Sequence, residues 1–178
     1  FHLHFCKNTV IEDCIIHTGD DCIAGINVDG LVVRNCDINT SCDAFRMGGS
    51  HILVENCHIW GPGIYPHRMT IVQNRYTEAV RRKDNALPRE AGRHNLVSIW
   101  LHFASEVFPS DEPYHDITIR NCVIENADNF LVYQPNEILQ RGAELKELKL
   151  DNVTLRGIKN MFNVQCPPDR RPVITILP

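Results

Sequence analysis

VVRNCDI at residues 32–38 is the stretch of this chain that decides its fold, because four other segments repeat its pattern. Each segment is short and rich in β-branched residues, which predicts a β-strand. The central cysteines Cys14, Cys36 and Cys57 are separated by 22 and 21 residues, and Cys122 follows 65 residues later, close to three more periods. The segments are VIEDCII at 10–16, VVRNCDI at 32–38, LVENCHI at 53–59, TIRNCVI at 118–124 and KLDNVTL at 149–155.

A period of about 22 residues indicates the kind of repeat protein to expect. It is too short for tetratricopeptide or ankyrin units, and the LxxLxL signature of leucine-rich repeats is missing. The repeat therefore predicts an all-β chain, a right-handed parallel β-helix whose coils stack at the ~4.8 Å strand spacing. We expect one domain over residues 1–164, interrupted by an inserted loop at 61–95 that contains GPG and further prolines, and a C-terminal tail at 165–178.

Stacked coils place equivalent residues in columns. The central cysteines should form a buried column of inert thiols, because buried free cysteine behaves as a small hydrophobe; disulfides or metal ligands are the alternative. The residue before each cysteine should form a second column, in which side-chain amides hydrogen-bond along the axis of the stack. Its members are Asp13, Asn35, Asn56, Asn121 and Asn152.

Charge limits the classes of partner. The net charge of −4 argues against a nucleic-acid partner, since phosphate binding normally requires a basic surplus. No stretch approaches the ~20 apolar residues that span a bilayer, so no membrane partner is expected. Residues 61–95 carry seven basic side chains against three acidic ones, which makes this segment the one suited to an anionic ligand.

Carboxylates follow the same period. Seven residues beyond the central cysteines stand Asp21, Asp43 and Asn129, with Asn160 in the last coil, and Asp20 precedes Asp21. Like charges gathered on neighbouring coils raise one another's pKa, so one group can act as an acid while another acts as a base, as glycosidic cleavage requires. The alternative is that Thr-Gly-Asp-Asp only makes a turn.

These residues carry a resemblance to a known family. HTGDDCIAG at 17–25, preceded by NTVIEDCII at 8–16, resembles the Gly-Asp-Asp segment of glycoside hydrolase family 28, whose members are polygalacturonase-like parallel β-helices of the pectin-lyase type. The strings GPGIYPHR (61–68), LPREAGRHNL (87–96) and HDITIRNCVIENADNFL (115–131) are similar to a bacterial branch of family 28-like proteins. The resemblance covers nearly the whole chain.

The resemblance implies that Asp20 and Asp21 are catalytic, with Asp21 as general acid and Asp20 positioning the attacking water, and that hydrolysis inverts the anomeric centre. The family's third carboxylate, in an N-T-D motif, would fall just ahead of Phe1, so we expect residues 1–178 alone to be inactive. The family's G-H-G motif aligns near Ser41-Cys42-Asp43, so that Cys42 replaces its histidine and Asp43 is an additional candidate catalytic carboxylate.

The family's substrate-gripping R-I-K motif has no clear counterpart, and other cations are candidates for holding an anionic sugar. An arginine fork matches a uronate carboxylate. Arg46 either points into the cleft or is a solvated arginine, and the residues that frame the loop either bind substrate or lie on a solvated surface. The candidate substrate-binding residues are Arg46, His67, Arg68, Arg93 and His94.

Three functions remain open. The first is metal-free acid/base hydrolysis of a pectic or related polysaccharide, without a cofactor. The second is a lyase in which Asp20, Asp21 and Asp43 hold Ca²⁺ and an arginine abstracts the proton. The third is a β-helix that binds glycans without turning them over. No ligand spacing typical of a zinc site is present, and the sequence leaves the cellular location open.

Overall fold

The computed structural model describes residues 1–67 and 93–178. These residues form an all-β structure with fifteen strands and one short 3₁₀ helix at Pro168–Arg170. The strands are β1 His2–His4, β2 Lys7–Glu12, β3 Ile15–Thr18, β4 Ile23–Arg34, β5 Asp37–Thr40, β6 Asp43–Glu55, β7 His58–Trp60, β8 Leu96–His102, β9 Ile117–Arg120, β10 Val123–Glu125, β11 Ala127–Tyr133, β12 Glu147–Asp151, β13 Thr154–Arg156, β14 Asn160–Val164 and β15 Val173–Leu177.

The strands form two parallel sheets. The first contains ten strands, in the order β14-β11-β8-β6-β9-β12-β15 with β4 against β6 and both β1 and β2 against β4. The second runs β13-β10-β7-β5-β3. The first sheet is strongly curled, because β6 pairs with β8 through Asp43–Met47 and with β9 through Ile52–Glu55. The architecture is consistent with the predicted parallel β-solenoid.

Apolar side chains of equivalent strands stack inside the curl. Ile38, Ile59 and Ile124 are aligned in the second sheet and are fully buried. On the first sheet Phe45 is paired in register with Trp100, and the two rings stack with their centroids 5.6 Å apart. Each coil thus covers the apolar residues of its neighbours, which is how a repeat that cannot bury its own core becomes stable.

The predicted cysteine column is present. Cys36, Cys57 and Cys122 are buried, Cys14 is partly buried, and all eight cysteines are free thiols. Within the column, the residue after a cysteine donates its N–H to the carbonyl oxygen of the cysteine one coil earlier, as His58 does to Cys36 at 3.0 Å and Val123 to Cys57 at 3.0 Å. The stacking and the burial expected for this column are therefore present, and no disulfide joins its members.

The predicted amide column is also present, and its backbone explains its composition. All five members adopt a left-handed conformation, with φ between 51° and 54°. Asn35 Nδ2 donates to Asp13 Oδ1 at 3.1 Å, and Asn152 Nδ2 donates to Asn121 Oδ1 at 2.8 Å. Asparagine and aspartate tolerate this conformation better than other residues with a side chain, so the column marks a tight bend in every coil.

Replacing Asn35 tests the role of this bend. Alanine and glycine both remove the amide hydrogen bonds, but only alanine carries a Cβ that opposes φ of 54°. We therefore expect Asn35→Ala to lower the free energy of unfolding by about 1 kcal/mol more than Asn35→Gly, measured by urea unfolding. Equal losses in the two variants would show that the amide ladder, and not the backbone, selects asparagine here.

The predicted inserted loop at 61–95 lies largely outside the described residues. Its described ends contact the stack and each other. Gly61 N–H donates to Glu125 O of β10 at 2.9 Å, and His67 N–H donates to Arg93 O at 2.7 Å across the loop. In the C-terminal segment 165–178, β15 pairs in parallel with β12. Among the described residues, no helix is long and apolar enough to cross a membrane.

Candidate functional site

The predicted column of polar residues runs along the first sheet. Asp43 is in register with Ser98, Ser98 with Asn129, and Asn129 with Asn160. Asp21 continues the column by one coil, because Ile23 pairs with Phe45 two residues later and Cys22 N–H donates to Asp43 O at 3.1 Å. The expected alignment is confirmed.

Asp43 occupies a sheltered position in this column. Its side chain is buried, with the residue 6% exposed, and Ser98 Oγ donates to Asp43 Oδ1 at 2.6 Å. Cys42 Sγ lies 3.8 Å from the other carboxylate oxygen. Burial raises the pKa of Asp43 to about 6 against the opposing effect of the Ser98 hydrogen bond, and the neighbouring Asp21 raises it further.

Asp21 has a different environment. Its Oδ2 lies 2.9 Å from Arg46 Nε, and the side chains of Asp21 and Arg46 are 12% and 23% exposed. The contact is an ion pair, and Asp21 Oδ1 is buried without a hydrogen-bond partner among the described residues. The Arg46 guanidinium carbon also lies 4.5 Å from the centre of the Phe103 ring, a cation–π contact that helps to hold the side chain in place.

Cys42 stands at the centre of the cluster. One ligand atom from each of Asp21, Cys42 and Asp43 lies within 4.8 Å of the others, and the same holds for Asp20, Cys42 and His67. Burial raises the pKa of the Cys42 thiol, and Asp43 and Asp21 raise it further. Three carboxylates from two coils and one imidazole from the chain beyond β7 therefore meet around a single sulfur atom.

The backbone of this cluster is held by threonine hydroxyls. Thr40 Oγ1 donates to Asp20 O and accepts from Cys42 N–H at 3.0 Å, while Thr18 Oγ1 accepts from Asp20 N–H at 3.1 Å. Thr40 is fully buried and in register with Thr18 in the second sheet. The two neighbouring coils therefore present Asp20 and Cys42 in a fixed relation.

The other candidate substrate-binding residues are placed as follows. Arg93 Nη2 donates to Ser41 O at 3.5 Å, beside the cluster. His94 Nδ1 hydrogen-bonds to Gly63 O at 2.7 Å, and Gly63 N–H donates to His94 O at 2.6 Å, so His94 fastens the loop ends together. Arg68 lies outside the described residues.

Sequence reasoning missed some members of the site. Ser98 is the one polar residue in the otherwise apolar run LVSIWL at 96–101, and that position was the signal that could have found it. Phe103 and Thr40 carried no such signal, because their roles depend on contacts made across coils. Cys42 was noticed only as a departure from the family motif.

Neither the family models, nor the curated proteins, nor the solved structures contain a match to the chain. What the fold and site define is an all-β protein of stacked parallel strands with a cluster of carboxylates, a thiol and an imidazole on one wall.

Proposed function

We propose that this chain forms a right-handed parallel β-helix of the glycoside hydrolase family 28 type, and that its site hydrolyses glycosidic bonds in a pectic or related anionic polysaccharide. One observation carries the proposal: carboxylate oxygens of Asp20, Asp21 and Asp43 each lie within 4.8 Å of Cys42 Sγ, on adjacent coils. Paired carboxylates on a shared wall are what acid/base cleavage of a glycoside needs.

The grouping of the carboxylates supports a division of roles. Inversion calls for acid and base carboxyl groups about 6.5–9.5 Å apart. One oxygen of Asp21 and one of Asp43 lie within 4.8 Å of each other, which is closer than this separation, so we assign both carboxylates to the same role, at the leaving oxygen. Asp20 belongs to the other group around Cys42, and it takes the second role, orienting the attacking water.

Arg46 supports an anionic substrate. Its side chain is 23% exposed, and its guanidinium contacts both Asp21 and the Phe103 ring. An arginine fork binds carboxylates in two-point fashion, and a uronic-acid residue in the cleft would share Arg46 with Asp21. The lyase alternative fits less well, because a thiol at the centre of the cluster is a poor ligand for Ca²⁺.

The test is hydrolysis of oligogalacturonides by the chain and, where its coding sequence extends upstream of Phe1, by the extended chain. The extended chain is expected to release new reducing ends without near-ultraviolet absorbance. Asp21→Asn is expected to lower the rate of hydrolysis at least ~100-fold, which is the usual contribution of a general acid to the rate. Asp111→Asn removes an exposed carboxylate in a turn and serves as the control.

Two results would contradict the proposal. Near-ultraviolet absorbance from a C=C bond would indicate a lyase. Oligosaccharide binding without turnover in the extended chain, unaffected by Asp21→Asn, would indicate a binding module.

A further inference from the structure

A second property of the same wall concerns the side chains of Asp20, Cys42 and His67. They come from three separate segments, the turn before β4, the turn before β6 and the chain beyond β7. A carboxylate oxygen, the thiol sulfur and an imidazole nitrogen lie within 4.8 Å of one another. No short ligand motif connects them, so their meeting is visible only in the folded chain.

The chemistry of the three donors is selective. Thiolate, imidazole and carboxylate together are ligands of Zn²⁺ and related transition metals, whereas Ca²⁺ and Mg²⁺ take oxygen ligands. In a tetrahedral site with bonds of about 2.0–2.3 Å, neighbouring ligand atoms are about 3.5 Å apart. The atoms here need to close by only about 1 Å to reach that separation.

The charge around the cluster favours a cation. Asp20, Asp21 and Asp43 place three carboxylates around one thiol, and Arg46 pairs with Asp21. A dication bound beside these carboxylates would be stabilised by their negative charge.

The donor set is also held in place before any ion arrives. Thr40 joins the backbones of Asp20 and Cys42, and the backbone N–H of His67 donates to Arg93 O at 2.7 Å. His67 is buried, with the residue 8% exposed. The fold itself therefore brings the three donors together.

We propose that Asp20, Cys42 and His67 bind one divalent transition-metal ion of the Zn²⁺ class. On binding, the Cys42 S–H bond breaks, its proton passes to water and the sulfur bonds to the metal, with no change of oxidation state. Three protein ligands leave a fourth position for water, as in open zinc sites. The ion ties the chain beyond β7 to the turns before β4 and β6.

The test uses Co²⁺ as a spectroscopic probe for Zn²⁺ in the untagged chain. We expect one Co²⁺ per chain, with a thiolate-to-cobalt charge-transfer band in the near ultraviolet that Zn²⁺ abolishes by displacement. Cys42→Ser is expected to remove this band and to weaken Co²⁺ binding at least tenfold. Cys166→Ser, a partly buried thiol of the C-terminal segment, is the matched control and should leave the band unchanged.

His67→Gln provides a second variant if Cys42→Ser does not fold, and it is expected to weaken Co²⁺ binding at least tenfold. Absence of the charge-transfer band in the unaltered chain, or its persistence in Cys42→Ser, would overturn the proposal. The metal-binding inference does not rest on the proposed hydrolysis, because the readout requires no turnover.

Discussion

Gly48→Ala is expected to destabilise the chain by about 3 kcal/mol or more, at the upper end of the range for overpacking. A Cβ at position 48 would overlap the carbonyl oxygen of Phe103 and would lie 2.6 Å from Tyr114 Cε2. The obstacle is backbone, which cannot rotate away as a side-chain tip does. The free energy of unfolding, measured in urea at neutral pH, gives the size of the effect.

Gly157→Ala is the matched control. Position 157 has φ of 63°, and an added Cβ would approach Asn126 Oδ1 at 2.6 Å, a side-chain atom that can move. Its cost should therefore be the backbone penalty of about 1–2 kcal/mol. If the two alanine variants were equally stable, the close approach of β6 to the segment after β8 would not be the reason that position 48 requires glycine.

The effect of Gly48 extends to the candidate site. Phe103, whose carbonyl oxygen lies against Gly48, also supports the Arg46 guanidinium with its ring. A Cβ at position 48 would displace Phe103, and the contact between its ring and the Arg46 guanidinium would be weakened. In a variant that still folds, we therefore expect weaker binding of an anionic oligosaccharide together with the lower stability.

The second large effect expected is a dependence of stability on pH set by His102. This imidazole is buried, and burial lowers its pKa to about 4 although the hydrogen bond from Nε2 to Ala143 O, 2.9 Å long, opposes the shift. Its neighbours are the neutral rings of Tyr114 and Tyr133, at centroid distances of 5.8 and 5.0 Å. Its Nδ1 has no partner among the described residues.

The sign follows from which state binds the proton. Above pH 6.5 His102 is neutral in both the folded and the unfolded chain, and no stability is lost. Between pH 6.5 and about 4 only the unfolded chain takes up the proton, so stability falls by a total of about 3 kcal/mol. Urea unfolding at several pH values across this window measures the slope.

His102→Gln removes the titrating group and keeps an amide that can donate to Ala143 O. We expect its free energy of unfolding to fall less steeply between pH 6.5 and 4 than that of the unaltered chain, with the carboxylates contributing the same background to both. His115→Gln, a change in the turn before β9, is the control and should retain the full slope. Parallel slopes for all three proteins would show that His102 does not control acid stability.

The sequence was sufficient for those features that repeat at the coil period. The cysteine and asparagine columns follow from a spacing of 21 or 22 residues, and the same spacing brings Asp21 and Asp43 together. A period determines which residues stack, because one residue of slip would move every side chain to the other face.

Contacts between residues that do not recur at the coil period could not be predicted from the sequence. Ser98 meets Asp43 across 55 residues, and His67 reaches Cys42 from an irregular segment that obeys no period. Neither contact has a local signal, since each depends on how much chain intervenes between two coils. The pKa of His102 was equally inaccessible, because an imidazole in an apolar strand shows its degree of burial only once the neighbouring coils are in place.

The pairing of β6 with both β8 and β9 bears on how fast the molecule assembles. Strands of the first coils pair with strands about 22 residues away, whereas the later partners of β6 lie 55 and 65 residues further along the chain. Closing the longer loop costs about 1 kcal/mol more entropy, and this cost precedes any contact that repays it. The early coils should thus act as a nucleus, with addition of the later coils limiting the folding rate.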